Sequence, residues 1–188
     1  MNTPAEIKVW DPLVRLFHWL LVAAFTLAYF TEDELQYVHV LAGYTVAGLL
    51  VFRLAWGFIG PQHARFADFV CSPGRILSYL KEVLRGKAAR YIGHNPAGGA
   101  MIIALLLSLL ATVVSGLLLY GADQGLGPLA GIMQDTSDAG IDSLKEAHEF
   151  LANFTVFLVF IHVFGVIWES VLHKENLTLS MLNGRKRP

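Results

Sequence analysis

From Ala97 to Gly121 the chain runs AGGAMIIALLLSLLATVVSGLLLYG, 25 residues without one charged side chain. A helix needs roughly 20 apolar residues to cross a bilayer. Three other stretches approach that length: Pro12 to Phe30, Tyr37 to Ile59, and about His148 to Leu172. With 55% hydrophobic and 15% charged residues and a mean hydropathy of +0.52, a chain of 188 residues has too much apolar side chain for its own core. Lipid is the solvent this composition requires. The predicted fold is an all-α membrane protein, a four-helix transmembrane bundle forming one domain over residues 1–188.

Local signals mark the ends. Asp11 stands as N-cap before Pro12, Gly60-Pro61 closes the second span, and Asn95-Pro96 introduces the third. The first span lacks a basic leader and an A-x-A-like cleavage site and contains Arg15 and His18, so it is expected to stay in the protein. In the loop between the second and third spans, SPGRILSYLKEVLRGK places Ile76, Leu77, Leu80, Val83 and Leu84 on one face. A short helix in the membrane interface is expected there, with Ser72 capping it, Pro73 in its first turn and Gly86 ending it.

Thirteen of the fourteen Lys and Arg residues fall on one side of a four-span layout; Lys145 is the exception. TEDEL (Thr31 to Leu35) and an acidic connector from Ala122 to Ala147 fall on the other. The positive-inside rule then puts both termini of a multi-pass membrane protein in the cytoplasm. Trp10, Trp19, Trp56 and Trp168 gather toward the same cytoplasmic face, as an aromatic belt would. The single cysteine, Cys71, excludes an internal disulfide and covalent c-type haem attachment.

Within the apolar spans the unusual residues are histidines. His148 and His162 are 14 residues apart, so a helix presents both on nearly the same face, about 21 Å apart in depth. Antiparallel spans match them by depth with partners: His18 with His162, His39 with His148. An imidazole in a membrane span is a functional candidate, against the plainer alternative of a ring hydrogen-bonded to a neighbouring helix. Zinc favours clusters with carboxylate or thiolate, and the spans hold no Asp or Glu except Glu149 and Glu169 at the ends of the fourth. Paired imidazoles suit haem iron, and two of them leave no open coordination position. Gly43, one turn after His39, and Gly165, three residues after His162, would let a flat ring approach; Gly48 and Gly116 add gaps, though small residues also serve helix packing. Arg15 and Arg53, near the cytoplasmic ends of the first two spans, suit haem propionates or simple snorkelling. His63, His94 and His173 are expected to be solvated or interfacial, with His94 also placed to reach a propionate or quinone.

The strings VWDPLVRLFHWLLV, HVLAGYTVAGLLVFRLAWGFIG, YIGHNPAGGAMI and AHEFLANFTVFLVFIHVFG resemble the bacterial cytochrome b561 and nickel-iron hydrogenase cytochrome b family over nearly the whole chain. The resemblance implies two haem b groups, the inner on His18 and His162 and the outer on His39 and His148. It implies transmembrane electron transfer between a membrane quinone (ubiquinone or menaquinone) and a redox partner such as a periplasmic c-type cytochrome. A self-contained superoxide:quinone oxidoreductase is the alternative within the family, and a histidine-based metal transporter the alternative outside it. A homo-oligomer is compatible with this reading; nucleic acid is not an expected partner.

Overall fold

The computed structural model describes residues 6–32 and 35–188. Asp33 and Glu34, part of the acidic TEDEL stretch, lie outside the described residues. In chain order the elements are β1 (Ile7–Lys8), α1 (Pro12–Phe30), α2 (Gln36–Ile59), a 3-10 turn (Gln62–Ala64), α3 (Phe66–Phe69), α4 (Pro73–Leu84), α5 (Pro96–Gln124), α6 (Ala130–Met133), α7 (Asp138–Leu172), α8 (Leu177–Asn183) and β2 (Arg185–Lys186). Helices α1, α2, α5 and α7 are long and apolar enough to cross a membrane. They make the four-helix transmembrane bundle that the apolar runs predict.

Capping chemistry sets several ends. Asp11 Oδ1 accepts from the Leu13 and Val14 amides at 2.9 and 3.2 Å, so α1 starts at Pro12 as expected. Helix α4 ends in a Schellman turn: the Gly86 amide donates to Val83 O and the Lys87 amide to Glu82 O, with Gly86 at φ +67°. At its start Ser72 occupies the cap position, but its hydroxyl makes no capping bond; its carbonyl instead accepts from the Arg75 and Ile76 amides. Leu77, Leu80 and Leu84 on α4 stay exposed while Tyr79 is buried, the pattern of a helix lying in an interface.

The fourth long helix departs from the sequence reading. It begins at Asp138, ten residues before the expected start, and α6 adds another turn, so much of the acidic connector is helical. Hydropathy registers only the lipid-embedded part of a helix. The polar extension is set by local chemistry, with Ser137 accepting from the Gly140 amide and Asp138 in the first turn, where the helix dipole favours a carboxylate.

The chain forms two compact units. The first comprises Met1–Leu20, Val51–Ile103 and Phe160–Pro188. It holds all four tryptophans and every Lys and Arg except Lys145. A two-stranded clip pairs Ile7 with Lys186 and Lys8 with Arg185, joining the chain ends. Gly184 sits at φ +81°, and a Cβ there would lie 2.7 Å from Trp10 O, so the tight return of the tail needs glycine.

The second unit comprises Leu21–Leu50 and Ala104–Val159. Its buried apolar cluster is small: Ala24, Val46, Leu50 and Leu109. Most large apolar side chains on the spans face outward, as lipid allows. Hydroxyls join α5 to α7 instead. Thr155 is 0% exposed, donates to Leu151 O at 2.8 Å, and meets Ser108 Oγ at 2.7 Å and Thr112 Oγ1 at 3.3 Å. Such interhelical bonds contribute about 0.6–2 kcal/mol each in a membrane.

Candidate cofactor site: two histidine pairs

The structure brings the four span histidines together in the two pairs that depth matching predicts. In the first unit, His18 on α1 and His162 on α7 have ring centres 6.5 Å apart. In the second, His39 on α2 and His148 on α7 have ring centres 6.0 Å apart. A metal–imidazole bond of about 2 Å plus about 1.1 Å from nitrogen to ring centre, on each side, gives about 6.2 Å for two imidazoles sharing one ion. Rings in direct stacking contact would be closer. Among the described residues no group of three or more His, Cys, Asp or Glu side chains gathers as a metal site.

The pairs are held differently. In the second unit, His39 Nδ1 lies 2.9 Å from Ala28 O. His148 Nδ1 lies 3.1 Å from Thr112 O and 3.0 Å from Ser115 Oγ. A carbonyl only accepts, so both rings carry their proton on Nδ1 and keep the lone pair on Nε2, the arrangement a ligating histidine requires. In the first unit, His18 Nδ1 is buried and has no hydrogen-bond partner among the described residues.

Around the second pair opens a cleft lined among others by Phe25, Val40, Gly43, Leu109, Gly116 and Ala152. Its walls are mainly apolar, with Tyr29, Tyr44, Tyr120 and Glu32 adding polar groups. A Cβ built on Gly43 meets nothing within 4 Å, so this glycine faces open space; the same holds for Gly165 in the first unit. Gly116 plays another part, which its sequence position alone did not assign. A Cβ there would lie 2.9 Å from His148 Cε1. Gly116→Ala is therefore expected to push the His148 ring off its acceptors, and loss of the hydrogen bonds that orient a ligating histidine costs about 10–100-fold in affinity for a metal it holds. Titration of the purified chain with haemin checks this; an unchanged affinity would reject it.

Arg53 is 4% exposed, so it does not snorkel. Its guanidinium lies over the Phe66 ring at 4.9 Å and near Phe69 at 6.0 Å. Its Nη1 is buried without a hydrogen-bond partner among the described residues, as is Arg15 Nε. Arg15 Nη1 donates to Leu182 O, which ties α1 to α8. A buried guanidinium nitrogen left bare marks a place for an anionic acceptor.

The remaining histidines fall into structural settings. His63 Nδ1 pairs with Asp68 Oδ2 at 2.9 Å, and His173 Nε2 lies 3.2 Å from Glu169 Oε2. His94 packs against Trp10 and Phe69, with ring centres 4.5 and 5.0 Å away, and its Nδ1 is buried. Burial, then the nearby Arg53 and Lys186 charges, push its pKa from 6.5 down to about 3. The folded chain thus resists a proton that the unfolded chain accepts. The stability His94 contributes is full above pH 6.5 and is lost as pH falls toward 3. Thermal melts over that range should show the decline, and a His94→Leu variant should flatten it; equal slopes would reject this role.

Residues 9–184 match the profile of the prokaryotic cytochrome b561 family. The chain belongs to that family. Among its relatives are three proteins named as probable Ni/Fe-hydrogenase B-type cytochrome subunits. The one from Cupriavidus necator is 25% identical, aligned over 94% of this chain and 85% of its own length. The one from Bradyrhizobium diazoefficiens is 22% identical over 96% and 86%, and that from Azotobacter vinelandii 25% identical over 95% and 87%. No solved structure matches the chain. As a prokaryotic cytochrome b561 the protein is a multi-pass membrane b-type cytochrome, an electron carrier that uses haem b.

Proposed function

We propose that residues 1–188 form one transmembrane cytochrome domain that conducts electrons across the bacterial inner membrane through two haem b groups. One is held by His18 and His162, the other by His39 and His148. The carrying observation is the spacing of the two ring pairs, 6.5 and 6.0 Å, which fits two imidazoles on one iron twice over. The Nδ1–H bonds of His39 and His148 and the bare glycine faces in both units support the same fit.

When bound, haem would supply reversible one-electron iron chemistry, held by the His18–His162 and His39–His148 pairs. The chain's residues do the rest. The Ala28 and Thr112 carbonyls aim His39 and His148 by accepting from Nδ1. Gly43 and Gly165 keep the backbone clear for a flat ring. Arg15 and Arg53 offer unpartnered guanidinium nitrogens to propionate carboxylates. Apolar walls exclude water, keeping the surroundings of low dielectric.

The basic loop and tail face the cytoplasm by the positive-inside rule, and both termini lie there. The electron partners are a membrane quinone, ubiquinone or menaquinone, and a redox protein. The names of the hydrogenase-subunit relatives support a redox enzyme or carrier as that protein. Asp135, Asp138 and Asp142 make the connector a docking surface for a basic periplasmic c-type cytochrome. Changing these three to lysine should slow reduction of a basic cytochrome c at low salt, the difference fading as salt rises. Unchanged rates would discard the docking surface.

The deciding experiment is an extracted-haem assay with an optical spectrum of protein purified under ample haem supply. Two haem b per chain are expected; none, or one, overturns the assignment.

A further inference from the structure

The two histidine pairs sit in unlike surroundings, and the difference has an electronic consequence. On α5 and α7 the hydroxyl ladder fixes the helices in register: Ser108 and Thr112 meet Thr155 at 2.7 and 3.3 Å. Close by on α5, Thr112 O and Ser115 Oγ then meet His148 Nδ1 at 3.1 and 3.0 Å. Ser115 Oγ itself donates to Thr112 O at 2.9 Å, which turns its lone pairs toward the imidazole N–H. The His39 ring is held in the same sense by Ala28 O. In the first unit His18 Nδ1 has no such acceptor among the described residues.

An acceptor on Nδ1–H draws the proton outward and makes Nε2 a stronger donor to a metal. Stronger donation favours the more highly charged ferric state. The charge distribution acts in the same direction. The first unit carries thirteen Lys and Arg against six Asp and Glu, and its buried Arg53 favours an added electron. The second carries Lys145 against nine acids, with Glu32 on the cleft wall, and disfavours one.

We propose that Ser115 is a positioning residue for His148, and that the acceptors on His148 and His39 make the haem of this pair the lower-potential of the two. The inference rests on the two-haem reading above. An electron shared between the centres then rests preferentially on the His18–His162 haem.

The test is an optical redox titration of the full-length, haem-loaded protein in detergent, with low-temperature electron paramagnetic resonance of the oxidised form. Two one-electron steps are expected. His39→Ala should leave a single centre titrating at the higher step. Ser115→Ala should shift only the lower step upward and alter only that centre's resonance. Ser115→Thr, which keeps the hydroxyl, should restore both, including where Ser115→Ala loses the haem. Two haems with an unmoved lower step, a shift of the higher step instead, or a failure of Ser115→Thr to restore would overturn this inference alone. A preparation without haem overturns the two-haem reading and this inference together.

Discussion

Replacing His39 or His148 with alanine should remove one haem and leave about half of the Soret absorbance, on the expectation that two bis-histidine haems absorb alike. His18→Ala or His162→Ala should remove the other haem. The argument is geometric. Each pair presents two rings at the separation one ion requires, 6.5 Å for His18 with His162 and 6.0 Å for His39 with His148. Each pair also lies wholly within one compact unit. Loss of either ring would leave that haem short of one holding side chain, while the other unit keeps both its rings. The four variants should therefore fall into two spectral classes of two. His63→Ala makes a suitable control, because that ring is tied to Asp68 at 2.9 Å. Retention of both haems by all four variants would show that other residues are the ligands.

Glu175→Gln should destabilise the protein by about 3–5 kcal/mol, the cost of removing one partner of a buried ion pair. Glu175 follows α7 and gathers the ends of distant segments. Arg90 Nη2 and Nε donate to its carboxylate at 2.9 and 3.3 Å, and the Arg187 amide donates at 3.1 Å. Lys186 Nζ lies 3.5 Å away and is itself 3% exposed. Glutamine would remove the nearest counter-charge of that ammonium and of the guanidinium. Burial alone would raise the Glu175 pKa, but Arg90, the Arg187 amide and Lys186 outweigh it and hold the group below the usual carboxylate range. A depressed folded pKa means stability that is full above the unfolded value, about 4.3, and lost as pH falls through the folded one. The predicted signature is a lower melting temperature at neutral pH and earlier proteolytic release of the C-terminal tail. Lys186→Met in the Glu175→Gln background should recover part of the loss. A neutral melting temperature equal to that of the parent would refute the clamp.

Much of this protein is determined by local sequence. A bilayer accepts only backbone that satisfies its own hydrogen bonds, so four apolar runs become four helices wherever they occur. The 1.5 Å rise per residue then assigns each histidine a depth, and depth matching alone pairs His18 with His162 and His39 with His148. The distribution of Lys and Arg was equally plain from position along the chain. Other features depend on packing between segments far apart in sequence. Whether Arg53 would snorkel or stay inside turned on Phe66 and Phe69 closing over it. The start of α7 at Asp138 escaped a hydropathy reading because its first turns are polar. Above all, depth says nothing about rotation around a helix axis. Only the folded bundle, with Ser108 and Thr112 set against Thr155, could decide that Thr112 O and Ser115 receive the His148 N–H, that Ala28 O receives that of His39, and that Gly116 leaves room for a ring.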